Sequence, residues 1–137
     1  MKNTILIVSL SVFFSCVGPA DPSHGLVENL PVTINKSDVF SFSLRADNFN
    51  YNETFLMSLS LPSNNKILST LVITDFSSND SSVIQILGEN DSIIFDYLIQ
   101  SSITLSNSKN YTTPKKTRLY LNNFSGIVDW VVTSSSD

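Results

Sequence analysis

The chain has 137 residues, 42% hydrophobic and 15% charged, with a formal net charge of −4 at pH 7 and a sequence pI ≈ 4.7. That length suits one domain with a real core, and the hydrophobic share excludes an intrinsically disordered chain. The acidic balance removes the electrostatic basis for non-specific nucleic-acid binding, so no nucleic-acid partner is expected. Polarity comes from Ser, Thr and Asn more than from charge, which suits an extracytoplasmic β protein.

The chain begins with the basic Met1-Lys2-Asn3, runs through an apolar stretch from Ile5 to Phe14, and reaches Phe13-Phe14-Ser15-Cys16. This is the layout of a secretory signal, and a run of roughly ten apolar residues is too short to span a bilayer. With Ser15 before Cys16, the segment resembles a bacterial lipoprotein signal. The resemblance implies a signal peptide over 1–15, a cut before Cys16, and acyl chains on that cysteine's sulfur and on the new amino terminus. Phe13 and Phe14 depart from the aliphatic and small residues usual at those places, while Ser15 fits. The alternative is an ordinary secretory signal cut after Ala20, which Pro19 beside the cut opposes. Cys16 is the only cysteine, so it has no disulfide partner within the chain. Two or more acyl chains make attachment stable, and Val17 in place of Asp points to the outer membrane. No cofactor is expected beyond that covalent lipid.

Residues 16–25 follow as a Pro- and Gly-rich tether without apolar periodicity. The single histidine, His24, lies in it, where nothing holds partners for a ligand or catalytic role. The remainder, 26–137, reads as a single domain. Val39 to Arg45 alternates Phe40, Phe42 and Leu44 with polar residues, and Phe55 to Leu61 repeats the pattern. Ile67 to Phe76 and Val83 to Leu87 are denser in aliphatics. Ile93 to Gln100 puts Ile93, Phe95, Tyr97 and Ile99 on one side. Ile103 to Leu105 is a short extra, and Thr117 to Leu121 and Ile127 to Thr133 close the series. Between the runs stand turn residues, among them Asn48 to Asn52, Ser77 to Ser82 and Asn122 to Gly126. The expectation is an all-β antiparallel sandwich, jelly-roll or Ig-like, with seven to nine strands after an N-terminal signal helix.

Two stretches, Lys36 to Leu44 and Arg118 to Trp130, resemble the opening strand and closing hairpin of bacterial pre-peptidase C-terminal domains. The resemblance covers about a quarter of the mature chain and implies a jelly-roll-like accessory module for binding or stability.

No catalytic set can be assembled. Cys16 and His24 lie ahead of the folded domain, which removes cysteine–histidine and serine–histidine–acid arrangements and the usual zinc sites. The four glycines, at 18, 25, 88 and 126, form no phosphate loop. Asp75, Asp80, Glu89, Asp91 and Asp96 are the carboxylates an acid–base pair would need, and they read as solvated turn acids. Asp80, Glu89 and Asp91 are also where calcium would be sought, though no calcium-loop spacing is present and no metal is expected. Phe49, Tyr51 and Tyr111 stand in polar stretches and are the expected partner-binding loop aromatics. Phe124 is expected to plug one end of the core, and Trp130 to sit within it. The chain therefore reads as a non-enzymatic, membrane-anchored surface lipoprotein holding a protein or glycan partner. The alternative is a periplasm-facing structural or accessory lipoprotein of an envelope complex.

Overall fold

A computed structural model describes residues 25–62, 65–110 and 112–135. The signal, Cys16, His24 and Tyr111 lie outside the described residues. Among the described residues, seven strands run in chain order: β1 (Val32–Asn35), β2 (Val39–Leu56), β3 (Lys66–Thr74), β4 (Ser82–Leu87), β5 (Ile93–Ile99), β6 (Ile103–Asn110) and β7 (Lys116–Ser135). All ladders between them are antiparallel. The fold is an antiparallel β-sandwich.

The sandwich is organised by its two longest strands. β2 and β7 pair along nearly their whole length, from Val39↔Thr133 to Leu56↔Lys116. The first half of β2 and the second half of β7 belong to a five-stranded layer ordered β1-β2-β7-β3-β6. Their other halves join β4 and β5, because β4 pairs β7 only over Lys116 to Tyr120. Both strands therefore bend from one layer into the other.

The bend is built from two compensating bulges. Between Ala46↔Gly126 and Phe49↔Phe124, β2 carries one residue more than β7, and between Phe49↔Phe124 and Tyr51↔Leu121, β7 carries one more than β2. Asn48 and Asn123 adopt the left-handed backbone there (φ 48° and 41°), a conformation asparagine tolerates better than most residues. The pairing register is restored beyond the bend, while each strand's inward set shifts by one residue. In β2 it passes from Phe40, Phe42 and Leu44 to Phe49, Tyr51 and Phe55, and in β7 from Leu119 and Leu121 to Phe124, Val128 and Trp130.

This geometry corrects two expectations. Asn48 to Asn52 and Asn122 to Gly126 are not turns between strands. They are the bulged middles of β2 and β7, so Arg118 to Trp130 is one continuous strand and not a closing hairpin. Residues that accept positive φ serve bulges as well as turns. The strand expected over Phe55 to Leu61 ends at Leu56. Its alternation still marks burial, since Leu59 is buried and Met57 and Leu61 pack against the core from outside the ladder. β1 had no counterpart among the expected strands, and β6 continues to Asn110 past the short segment expected there. In β5 a register shift beside Leu87↔Ile93 turns Ile94 inward and leaves Ile93 exposed.

Because β2 doubles back over itself, its own aromatics face each other across the core. Phe40 meets Phe55 at 6.0 Å between ring centroids, and Phe42 meets Tyr51 at 5.6 Å. Trp130 is fully buried and edge-on to Phe40 at 5.4 Å. One polar group lies among these rings: Ser69 Oγ accepts from Trp130 Nε1 and from Tyr97 Oη, each at 2.9 Å. Ser69 and Trp130 belong to the five-stranded layer and Tyr97 to the other, so this clasp crosses the sandwich. Phe124 is fully buried and edge-on to Phe76, as a plug at the bend should be.

Candidate functional site

The arrangement best suited to holding a ligand lies on the outward face of the four-stranded layer. Thr117, Leu119 and Leu121 of β7 point into the core, so Arg118 and Tyr120 must point out. The ladders then set two rows across the layer. One is Asn52, Tyr120, Val83 and Leu98, and the other is Thr54, Arg118, Gln85 and Asp96. Four strands at ~4.8 Å spacing make each row about 14 Å long, and the rows stand about 7 Å apart along the strands.

Tyr120 is 46% exposed near the middle of this face, with Leu98, 57% exposed, at its margin. Beside them Gln85 Nε2 donates to Asp96 Oδ1 at 3.1 Å, which holds both planar groups in place. The face offers an aromatic ring, an amide, a guanidinium and a carboxylate on a rigid sheet. Such groups stack on apolar CH surfaces and form paired hydrogen bonds with neighbouring hydroxyls.

At the rim of the same layer, Glu89 and Asp91 occupy a short 3₁₀ turn, Glu89–Asp91. Lys116 Nζ lies 2.5 Å from Asp91 Oδ1, and Lys115 Nζ lies 3.4 Å from Glu89 Oε1. The hydrogen bond from Lys116 holds the Asp91 carboxyl below the ordinary aspartate range, partly opposed by desolvation and helped by the charges of Lys116 and Arg118. These two acids, considered above as calcium ligands, face lysines.

The third calcium candidate, Asp80, sits at the bend, where its Oδ2 accepts from Asn123 Nδ2 at 2.7 Å. Asn123 and Asn50 bond reciprocally, Asn123 N to Asn50 Oδ1 at 2.9 Å and Asn50 Nδ2 to Asn123 Oδ1 at 3.1 Å. Ser78 Oγ donates to the Asn123 carbonyl. This network satisfies the backbone groups that the bulge removes from the ladder. An open cavity of about 390 Å³ lies over it, and another of about 330 Å³ lies beside Glu28, Arg45, Asp47 and Asp75. All three of those acids are exposed, so the second cavity is a polar notch without the enclosure that acid–base chemistry uses. Among the described residues, no three His, Cys, Asp or Glu side chains are placed to hold a metal ion.

The expected loop aromatics are redistributed. Phe49 and Tyr51 lie within β2 and pack against the core, their rings stacked on each other at 6.0 Å. Burial, followed by the nearby Glu53 charge, raises the Tyr51 phenol above its ordinary value. Neither ring stands on a loop tip, because the segment is a bulged strand. Tyr120 takes their place as the exposed ring of a rigid surface. Its sequence signal is parity: with Leu119 and Leu121 inside, the residue between them must face out.

No protein-family model matches the chain, and no curated protein matches it. Solved structures do. A cupin-like protein from Desulfovibrio desulfuricans is 8% identical over 87% of this chain and 92% of its own, with a TM-score of 0.35. The coat protein of Tobacco streak virus is 9% identical over 78% and 86%, with a TM-score of 0.36. A carbohydrate-binding module, CBM4, is 15% identical over 87% and 85%, with a TM-score of 0.25. At these scores none of them assigns an activity to this chain.

Proposed function

We propose that the chain is a bacterial outer-membrane lipoprotein, anchored through acylated Cys16, whose β-sandwich is a non-catalytic module that binds a glycan at the cell surface. The observation that carries the binding role is Tyr120, exposed on the four-stranded layer between rows that hold Asn52, Arg118, Gln85 and Asp96. A flat rigid face with one ring and several planar hydrogen-bonding groups suits an extended sugar chain, and its polar groups also suit a protein segment. The absence of an enzymatic role is supported by the partners of the acids: Asp80 is held by Asn123, Asp96 by Gln85, and Glu89 and Asp91 by lysines. The alternative, an accessory subunit of a periplasmic envelope complex, draws on the outer edge of β6, which pairs only with β3 among the described strands.

The test is a glycan array probed with the detergent-solubilised lipoprotein and its Tyr120→Ala variant. Binding that falls about tenfold or more in the variant, with an unchanged melting temperature, is expected, as loss of an aromatic anchor costs more than ~1 kcal/mol. Binding indifferent to Tyr120 sinks the assignment of the face. Protease added to intact cells is expected to remove the domain, and full protection would support the periplasmic alternative.

A further inference from the structure

We infer that β1 and the residues leading into it are a membrane seat, which lays the domain on the lipid surface and turns the Tyr120 face outward. The inference rests on the lipid anchor proposed above.

Val27 is 65% exposed, Leu30 55%, Val32 48% and Ile34 43%. Four large aliphatic side chains within eight residues are therefore left to solvent at one edge of the sandwich. Their direction follows from register. Val32 pairs with Ser43 and Ile34 with Ser41, whereas Phe40, Phe42 and Leu44 of the same strand are buried. Val32 and Ile34 consequently stand on the outward face of the five-stranded layer. Val131, 42% exposed and opposite Ser41 on β7, shares that face. The run from Leu30 to Asn35 and its partners Ser41 and Ser43 carry no charge. Glu28, between Val27 and Leu30, and Asp129, opposite Ser43 on β7, are exposed nearby, so the seat keeps those two carboxylates at its margin, in the hydrated headgroup region.

Three occupants suit an apolar edge: a second copy, another protein, or lipid. Pairing with a second copy is disfavoured by β1 itself, which is four residues long and preceded by Pro31, a poor template for strand addition. Lipid is favoured by where the chain outside the structure ends. Cys16 precedes Gly25 by nine residues, a reach of at most ~30 Å at ~3.4 Å per residue. The described chain thus begins two residues before Val27, on a short arm from the acyl chains. At that distance the effective concentration of bilayer is high, and side chains too few to bind membrane alone suffice to orient a domain already held there. The outward face of the four-stranded layer is on the other side of the sandwich, so seating β1 presents Tyr120 away from the membrane.

The experiment uses the full lipoprotein in phosphatidylethanolamine–phosphatidylglycerol vesicles. Acylation occupies the single native thiol, so Val32→Cys and, separately, Leu98→Cys each offer one site for a polarity-sensitive fluorophore. A probe at position 32 is expected to shift to the blue and to be quenched by spin-labelled lipid, while a probe at 98 stays water-like. In Leu30→Thr/Ile34→Thr, which keeps strand-compatible residues, the signal at 32 should be lost. Water-like emission at both positions overturns the seat and leaves the lipoprotein reading intact. A blue shift that disappears as protein is diluted into excess lipid assigns the edge to a second copy and also overturns it. Mass spectrometry of the amino terminus of the same sample separates the two readings: a terminus without acyl chains sinks both.

Discussion

The two outward faces of this sandwich are built from the same two strands and differ chiefly in the exposed aliphatics of β1 on one and the exposed ring of Tyr120 on the other. On the five-stranded layer β2 and β7 contribute Ser41, Ser43, Arg45, Asp129, Val131 and Thr133, next to the bare aliphatics of β1. On the four-stranded layer they contribute Asn52, Thr54, Arg118 and Tyr120. The inward faces show no such contrast, since both halves of each strand supply large apolar side chains, aromatic or aliphatic, to one core. Packing thus constrains the inside uniformly and leaves each outward face free to take a separate task. Here one suits contact with lipid and the other recognition of a ligand.

If the faces are separate but the core is shared, disturbance of the core must affect both layers together. Trp130→Ala is the largest test. It removes the biggest buried side chain, leaves Phe40 without its edge-on partner, and takes one of the two donors from the Ser69 clasp. The expected cost is about 3–5 kcal/mol, a large part of a domain's total stability. It should be read as a lower denaturant midpoint in a transition that stays single and cooperative. Two separate transitions would show that the layers fold independently and that β2 and β7 do not couple them.

The next test concerns the bend. Gly126 has φ 144°, and a Cβ added there would lie 2.9 Å from the Thr74 carbonyl oxygen and 3.2 Å from Phe76 Cα. Gly126→Ala should therefore cost about 1–3 kcal/mol through backbone strain and the clash with main-chain atoms that cannot swing aside. Gly25→Ala is the comparison, because Gly25 also has positive φ (65°) but open space around it. Equal costs in chemical denaturation would mean that the close approach at the bend contributes nothing.

The same bend explains what sequence made visible and what it hid. Period-two alternation marked most strands and the burial of Trp130, because one-sided burial writes itself directly into a strand. The continuity of β2 and β7 was hidden, since Asn48, Asn123 and Gly126 are the residues a chain break would also use. Reading them as turns put Phe49 and Tyr51 on a loop, whereas the bulge folds them against the core. β1 is four residues, too short for periodicity to register. Tyr120 was legible in principle from its neighbours, but half-exposed rings in strands give no compositional signal of their own. The layer to which a residue belongs depends on long-range pairing, and no local pattern encodes that.

The smallest expected effect lies at the rim, and it separates stability from recognition. The hydrogen bond from Lys116 lowers the folded-state value of Asp91. The unfolded chain therefore binds the proton first as pH falls. The pair's contribution is present above the ordinary aspartate value, near 3.8, and is lost as pH drops through the lowered folded value. Asp91→Asn should lower the denaturation midpoint slightly at neutral pH, less so in high salt, and the difference should vanish in strong acid, because exposed pairs contribute little. Lys116 lies two residues from Arg118 on the same outward side of β7. Freeing it adds an unpaired positive charge beside the Tyr120 face. A variant with nearly native stability but altered ligand binding would extend the recognition face to the rim. Unchanged binding would confine that face to the two rows around Tyr120 and Gln85.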